Sequence, residues 1–191
     1  MNAADAEIPM VFARALASLR SAATRSGLLL REVPGPTRVA PYAVALTGSL
    51  LRPGADDDDL ADGRFIVLHD PDGQADWQGT FRVVTLVRAE VDTDMGVDPL
   101  LNEVAWTWMT DSLADHVGDV DALGGTVTRV VSQTFGVMAE RAGSVELEIR
   151  ASWTPRTPDL GDHLLAWEQM LAAAAGVPRL PDGVSAIHRR R

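Results

Sequence analysis

The chain has 191 residues, 46% of them hydrophobic, which suits one folded domain with a substantial core. It carries 27 acidic residues against 17 basic ones, a formal net charge of −10, and this argues against non-specific binding to nucleic acid or to anionic membranes. Every one of those basic residues is Arg and there is no Cys. That composition excludes lysine Schiff bases, a P-loop lysine, disulfides, thiol nucleophiles and thiolate metal sites.

The first residues, with Asp5 and Glu7, lack a basic segment followed by an apolar run, so no secretory signal is expected. No stretch approaches a membrane span. The composition predicts a soluble, cytoplasmic protein. Met10 to Ala23 reads as a helix opened by Pro9, with Phe12, Leu16, Leu19 and Ala23 as its apolar stripe. Leu28 to Val33 reads as a short strand stopped by Pro34-Gly35-Pro36. Pro41 to Arg52 is a strand of Ala, Val and Leu. Pro53-Gly54 then opens a loop carrying Asp56, Asp57, Asp58, Asp59 and Asp62. Arg64 to His69 is the next strand, and Asp70-Pro71-Asp72-Gly73 is a turn signal.

The strongest pattern runs from Thr80 to Val91. Phe81, Val83, Thr85, Val87, Ala89 and Val91 fall on one face by the two-residue period, and Arg82, Val84, Leu86, Arg88 and Glu90 on the other. A strand this apolar on one side and half-apolar on the other belongs inside a sheet. Pro99 to Val117 then reads as a helix, with Asp98 as N-cap and Gly118 closing the end. Leu101, Val104, Ala105 and Trp108 share one side, which predicts Trp108 in the core. Trp106 points roughly 160° away from Trp108 and cannot share its pocket. Gly125 to Phe135 is a strand rich in Thr and Val. Ser144 to Trp153 alternates, with Val145, Leu147, Ile149, Ala151 and Trp153 inward and Glu146, Glu148 and Arg150 outward. Pro158 to Ala175 is a last helix, with Leu160, Leu164, Trp167 and Leu171 as its stripe and Gly176 at its end.

Runs of adjacent strands with short turns predict an α+β fold: an antiparallel sheet of five to six strands with three helices, in the order α-β(3–4)-α-β-β-α. Residues 1–176 form one domain in this reading, and residues 177–191 a mobile tail.

Each motif has a plain structural explanation. Four consecutive Asp cannot all face one cation, so Asp56 to Asp59 reads as a solvated loop. His69 with Asp70, Asp72 and Asp76 sits at a strand end, and a catalytic role there needs a second group, such as His116 or His163, brought near by folding. No GxSxG elbow exists, and Gly124-Gly125 precedes a strand, where no helix N-terminus can cradle phosphate. The face bearing Arg82, Val84, Leu86 and Arg88 is the candidate contact for a protein partner or a second copy. Its plain explanation is cross-strand pairing of Arg82, Arg88 and Arg150 with Glu90, Glu146 and Glu148 on a wet surface.

The strings Ala40 to Leu46, Gly63 to Asp70, Trp77 to Val84 and Glu148 to Pro155 resemble those of an actinobacterial family catalogued as domain of unknown function number 3000. The resemblance covers nearly the whole chain. It implies an actinobacterial cytosolic protein, often encoded beside a ribonuclease-D-like exonuclease, and so a link to RNA metabolism. It brings no catalytic residue. The element order is also similar to that of type III secretion chaperones, which bind proteins; this is a likeness of layout alone.

The reading assigns no catalytic residue, no cofactor and no metal. It favours a non-catalytic binding or adaptor module acting through the sheet face at Arg82, Val84, Leu86 and Arg88. The alternative is a small hydrolase or other enzyme using His69 and nearby carboxylates.

Overall fold

The computed structural model describes residues 8–25, 27–52, 59–140 and 142–177. Its elements run α1 (Met10–Ser21), β1 (Leu28–Val33), β2 (Tyr42–Leu51), β3 (Asp59–Gln74), β4 (Gly79–Val91), the single turn α2 (Thr93–Gly96), α3 (Leu101–His116), β5 (Asp121–Ser132), β6 (Ser144–Thr154) and α4 (Gly161–Ala174). The strands form one open six-stranded sheet in the order β1-β2-β3-β4-β6-β5, with every neighbouring pair antiparallel. The fold is α+β, as the strand runs predict.

β4 lies inside the sheet between β3 and β6, and its alternation sets the layers. Phe81, Val83, Thr85, Val87, Ala89 and Val91 are buried beside Val145, Leu147, Ile149, Ala151 and Trp153 of β6. The long helices cover this face. Phe12, Ala15 and Leu19 of α1 join the core, as do Leu101, Ala105, Met109 and Leu113 of α3 and Leu164, Trp167, Met170 and Leu171 of α4. Full burial of one such aliphatic side chain contributes about 1.5–3 kcal/mol.

The helix ends follow local chemistry. α3 begins at Leu101, two residues later than the expected Pro99, with Leu100 as its N-cap and no side-chain cap; the Asp98 carboxylate instead accepts from the Leu100 N–H at 2.8 Å in the turn ahead of it. At the other end Gly118 takes φ +81° and donates its N–H to the Leu113 carbonyl at 2.9 Å. The phase of α3 differs from its sequence reading. Val104 is exposed and Trp108 is only half-buried, because Ala105, Met109 and Leu113 are the residues that α3 turns into the core. Trp106 turns to the other side and lies over Gly125, where a Cβ would stand 2.8 Å from its ring. β3 is also longer than expected. It runs through the Asp70–Gly73 signal, where the ladder to β4 jumps from His69–Phe81 to Gln74–Gly79 and Asp70 accepts from the Asp72 N–H. Of the acidic run, Asp59 begins β3, while Asp56, Asp57 and Asp58 lie outside the described residues, as do positions 178–191 of the tail.

Candidate functional site

Strand register assembles the second face of the sheet. Thr47, Arg64, Leu86, Arg150 and Thr126 form one row across β2, β3, β4, β6 and β5. The next row is Ala45, Ile66, Val84, Ser152 and Gly124. Among the described residues, the buried side chains of α1, α3 and α4 share their core with the opposite residues of the strands, and no residue of these helices lines the depression on this face. The connection 34–41 reaches the β2 side: a Cβ on Gly35 would stand 3.1 Å from that of Ala43, and the Gln74 side chain donates to the Val39 carbonyl at 3.0 Å. Ala45 and Leu68 are buried, whereas Ile66, Val84 and Leu86 stay half-exposed.

The sheet is hollowed at that point. A depression of about 480 Å3 is lined by Ile66, Val84 and Leu86, by Arg64 and Arg150, and by the small residues Gly124, Gly125 and Ser152. No carboxylate lines it, although the chain as a whole is strongly acidic. Arg64 has no hydrogen-bonded partner among the described residues.

Arg88 and Arg150 converge on one carboxylate, Glu148, at 2.9 and 2.7 Å. Burial pushes the Glu148 carboxyl up, but the two guanidinium groups outweigh it and hold the group below the usual range. Arg82 behaves differently. It donates to the Ser152 and Thr154 hydroxyls at 2.7 and 3.2 Å and to the Ala122 carbonyl at 2.9 Å. Ala122 has φ +48°, so Arg82 ties down a strained corner of β5. Beyond Arg88 the face turns acidic: Glu90 stands opposite Glu146, and both line a smaller depression with Asp62. Burial raises the Asp62 carboxyl, with Arg88 opposing.

Among the residues singled out in the sequence, then, Val84 and Leu86 are the apolar floor, Arg88 belongs to an ion-pair cluster and Arg82 is a structural tie. Ile66 and Arg64 were missed. The signal for them was the two-residue period of β3, which puts them opposite Phe65 and Val67.

His69 is not at an accessible site. It is buried, stacked on Phe81 with centroids 4.3 Å apart and flanked by Phe12 and Tyr42. Its Nδ1 donates to the Thr80 carbonyl at 2.9 Å, and its Nε2 is buried without a hydrogen-bond partner among the described residues. Asp70 accepts instead from the Asp72 N–H and the Gln74 amide. The other described histidines have separate partners. His163 accepts from the Trp153 indole at 2.9 Å and its pKa is lowered to about 4 by burial, while His116 pairs with Gln169 at 2.8 Å. Among the described residues no group of three His, Asp or Glu is placed to hold a metal ion. No helix among them is long and apolar enough to cross a membrane.

Residues 8–185 match the family model described as Protein of unknown function (DUF3000). The match spans nearly the whole chain, and the chain belongs to that family. No curated protein matches, and neither does any solved structure.

Proposed function

We propose that this member of the DUF3000 family is a non-catalytic, cytoplasmic binding module that takes a protein partner on its open sheet face. The observation that supports this reading is the depression at Ile66, Val84 and Leu86, rimmed by Arg64 and Arg150 and free of carboxylates. An apolar floor gives affinity through area removed from water, and Arg64 at its rim, which is not held by Glu148 as Arg150 is, selects a segment bearing a carboxylate. The floor is rigid, since it is the middle of a sheet whose other side is the core. A partner segment with an apolar anchor between acidic residues has the matching chemistry.

The test compares capture from a host lysate by the native chain and by Leu86→Glu, with circular dichroism on both. Partners recovered by the native chain and lost by a folded Leu86→Glu variant support the reading. Identical recovery by both chains overturns it.

A further inference from the structure

The last helix ends in the wall of a groove. Gly176 takes φ +65°, and Val177 donates its N–H to the Ala172 carbonyl at 2.9 Å, which closes α4. Ala174, Ala175 and Gly176 line a groove of about 390 Å3 at the end of the sheet where β3 begins and β4 finishes. Leu60, Val91 and Met95 give it apolar surface, and Asp59, Glu90 and Asp92 set three carboxylates against Arg52. Asp59, Leu60 and Glu90 also line the acidic depression of the open face, so the two hollows are continuous round the sheet end. In that depression Glu90 and Glu146 are register partners, and like charges placed opposite each other repel. Arg88 is the basic residue there, and its guanidinium is already bonded to Glu148 at 2.9 Å. Among the described residues no cation is bonded to Asp59, Asp62, Glu90, Asp92 or Glu146.

We propose that residues 178–191 of this same chain fill the groove and carry Arg189, Arg190 and Arg191 round the sheet end to the acidic depression. The point where the chain leaves α4 argues for it. Gly176 already lines the groove, and Arg179 follows three residues later, within about 10 Å of it. Pro178 lacks the N–H that a further turn of α4 needs, so the chain departs from the helix there. Charge selects the same occupant. Positions 178–191 hold four Arg and one Asp in a chain of net charge −10, and the two hollows face them with Asp59, Asp62, Glu90, Asp92 and Glu146. Leu180 and Val184 bring apolar side chains to a groove that offers Leu60 and Met95. The length suffices, since these residues span up to about 46 Å when extended and Glu146 lies one strand beyond Glu90. The family match continues through residue 185, so positions 178–185 belong with the domain. Tethering holds the segment beside its groove at a high effective concentration, which an independent basic partner lacks. The depression at Ile66, Val84 and Leu86 shares no lining residue with the acidic one and stays open. On the reading that a partner bearing a carboxylate binds there, the seated segment removes the charge that would repel it.

The chain has no Cys, so a single spin label at His188→Cys reports where the segment lies. Paramagnetic broadening of the backbone amide signals is read in the full chain. The amides of Asp62, Glu90 and Glu146 are expected to lose intensity, while those of Gly73 and Thr80, at the opposite end of the sheet, keep it. Arg189→Glu combined with Arg190→Glu and Arg191→Glu should abolish the loss, and adding Glu90→Arg with Glu146→Arg should restore it. Raised salt should weaken it in the labelled chain itself, because these charges stand in solvent. If the charge-reversed chain does not fold, the salt response decides. Absence of selective broadening at Asp62, Glu90 and Glu146, or broadening that survives charge reversal and salt, overturns the proposal. So does the same broadening in an unlabelled chain mixed with a labelled one, since that seats the segment on a second copy. No partner capture enters this measurement, so it holds or fails apart from the function proposed above.

Discussion

Trp167 donates its indole N–H to the main-chain carbonyl of Leu86 at 3.1 Å, from the helix side of the sheet. The Leu86 side chain points the other way, into the open depression. α4 is thereby fastened to the strand that carries the candidate contact. Two glycines make room for the ring. Gly48 and Gly63 are register partners on β2 and β3, and a Cβ on Gly48 would stand 2.7 Å from the Trp167 ring. One on Gly63 would stand 2.2 Å from the Leu86 carbonyl oxygen itself.

Gly63→Ala should therefore be costly although alanine is small. The obstructing atom is main chain, so the strand has to move. A loss of about 1–3 kcal/mol is expected, measured by urea titration, as for other overpacked cores. Tolerance within about 0.5 kcal/mol would mean that α4 does not seat its tryptophan between these strands.

The phase of α3 gives a second prediction. Met109 is fully buried and Trp108 only half so. Met109→Ala should cost about 2–5 kcal/mol, and Trp108→Ala distinctly less than the about 3–5 kcal/mol of a fully buried Trp. The reverse order in urea titration would restore the phase read from the sequence.

A third prediction concerns pH. Burial holds His163 at about 4 in the folded chain, against 6.5 in the unfolded one. Its folded pKa is depressed, so its contribution is complete above about pH 6.5. It is lost as pH falls towards about 4, because the unfolded chain takes up the proton first. The full difference is about 3 kcal/mol. Glu168 works the other way: burial raises its carboxyl, so the folded chain gains stability from it as the pH falls. The comparison must therefore be native chain against His163→Phe. The difference in unfolding free energy between the two should change across pH 6.5 to 4 in favour of the variant. A difference constant over that range would show that His163 is not held neutral.

What was legible in the sequence is what one-sided burial dictates. β4 and β6 each have a core face, so the two-residue period of Val83, Val87, Leu147 and Ile149 reads directly into their orientation. The same alternation marked the second face as half-apolar, but which face the helices cover is set by tertiary packing. α3 was misread because its arc of apolar residues is too wide to fix a phase, and Val104 and Trp108 sit at its margin. The site was only half visible. Val84 and Leu86 stand in one strand, but Arg64, Ile66 and Arg150 join them through pairing register, which one strand's pattern does not contain. Arg82 looked like a rim residue, and only the left-handed corner at Ala122 accounts for its three hydrogen bonds. His69 at a strand end suggested chemistry, while tertiary packing by Phe12 from a distant helix buries it.

The central claim is that the open face touches another protein, and photocrosslinking in the host tests it most directly. A photoreactive benzoylphenylalanine is placed at Val84, on the floor of the depression, and in a second chain at Thr107, on the exposed side of α3. The account predicts a discrete crosslinked adduct from position 84 that is absent from position 107 and is lost when Arg64→Glu is added. No adduct at position 84, or the same adducts from both positions, would contradict it.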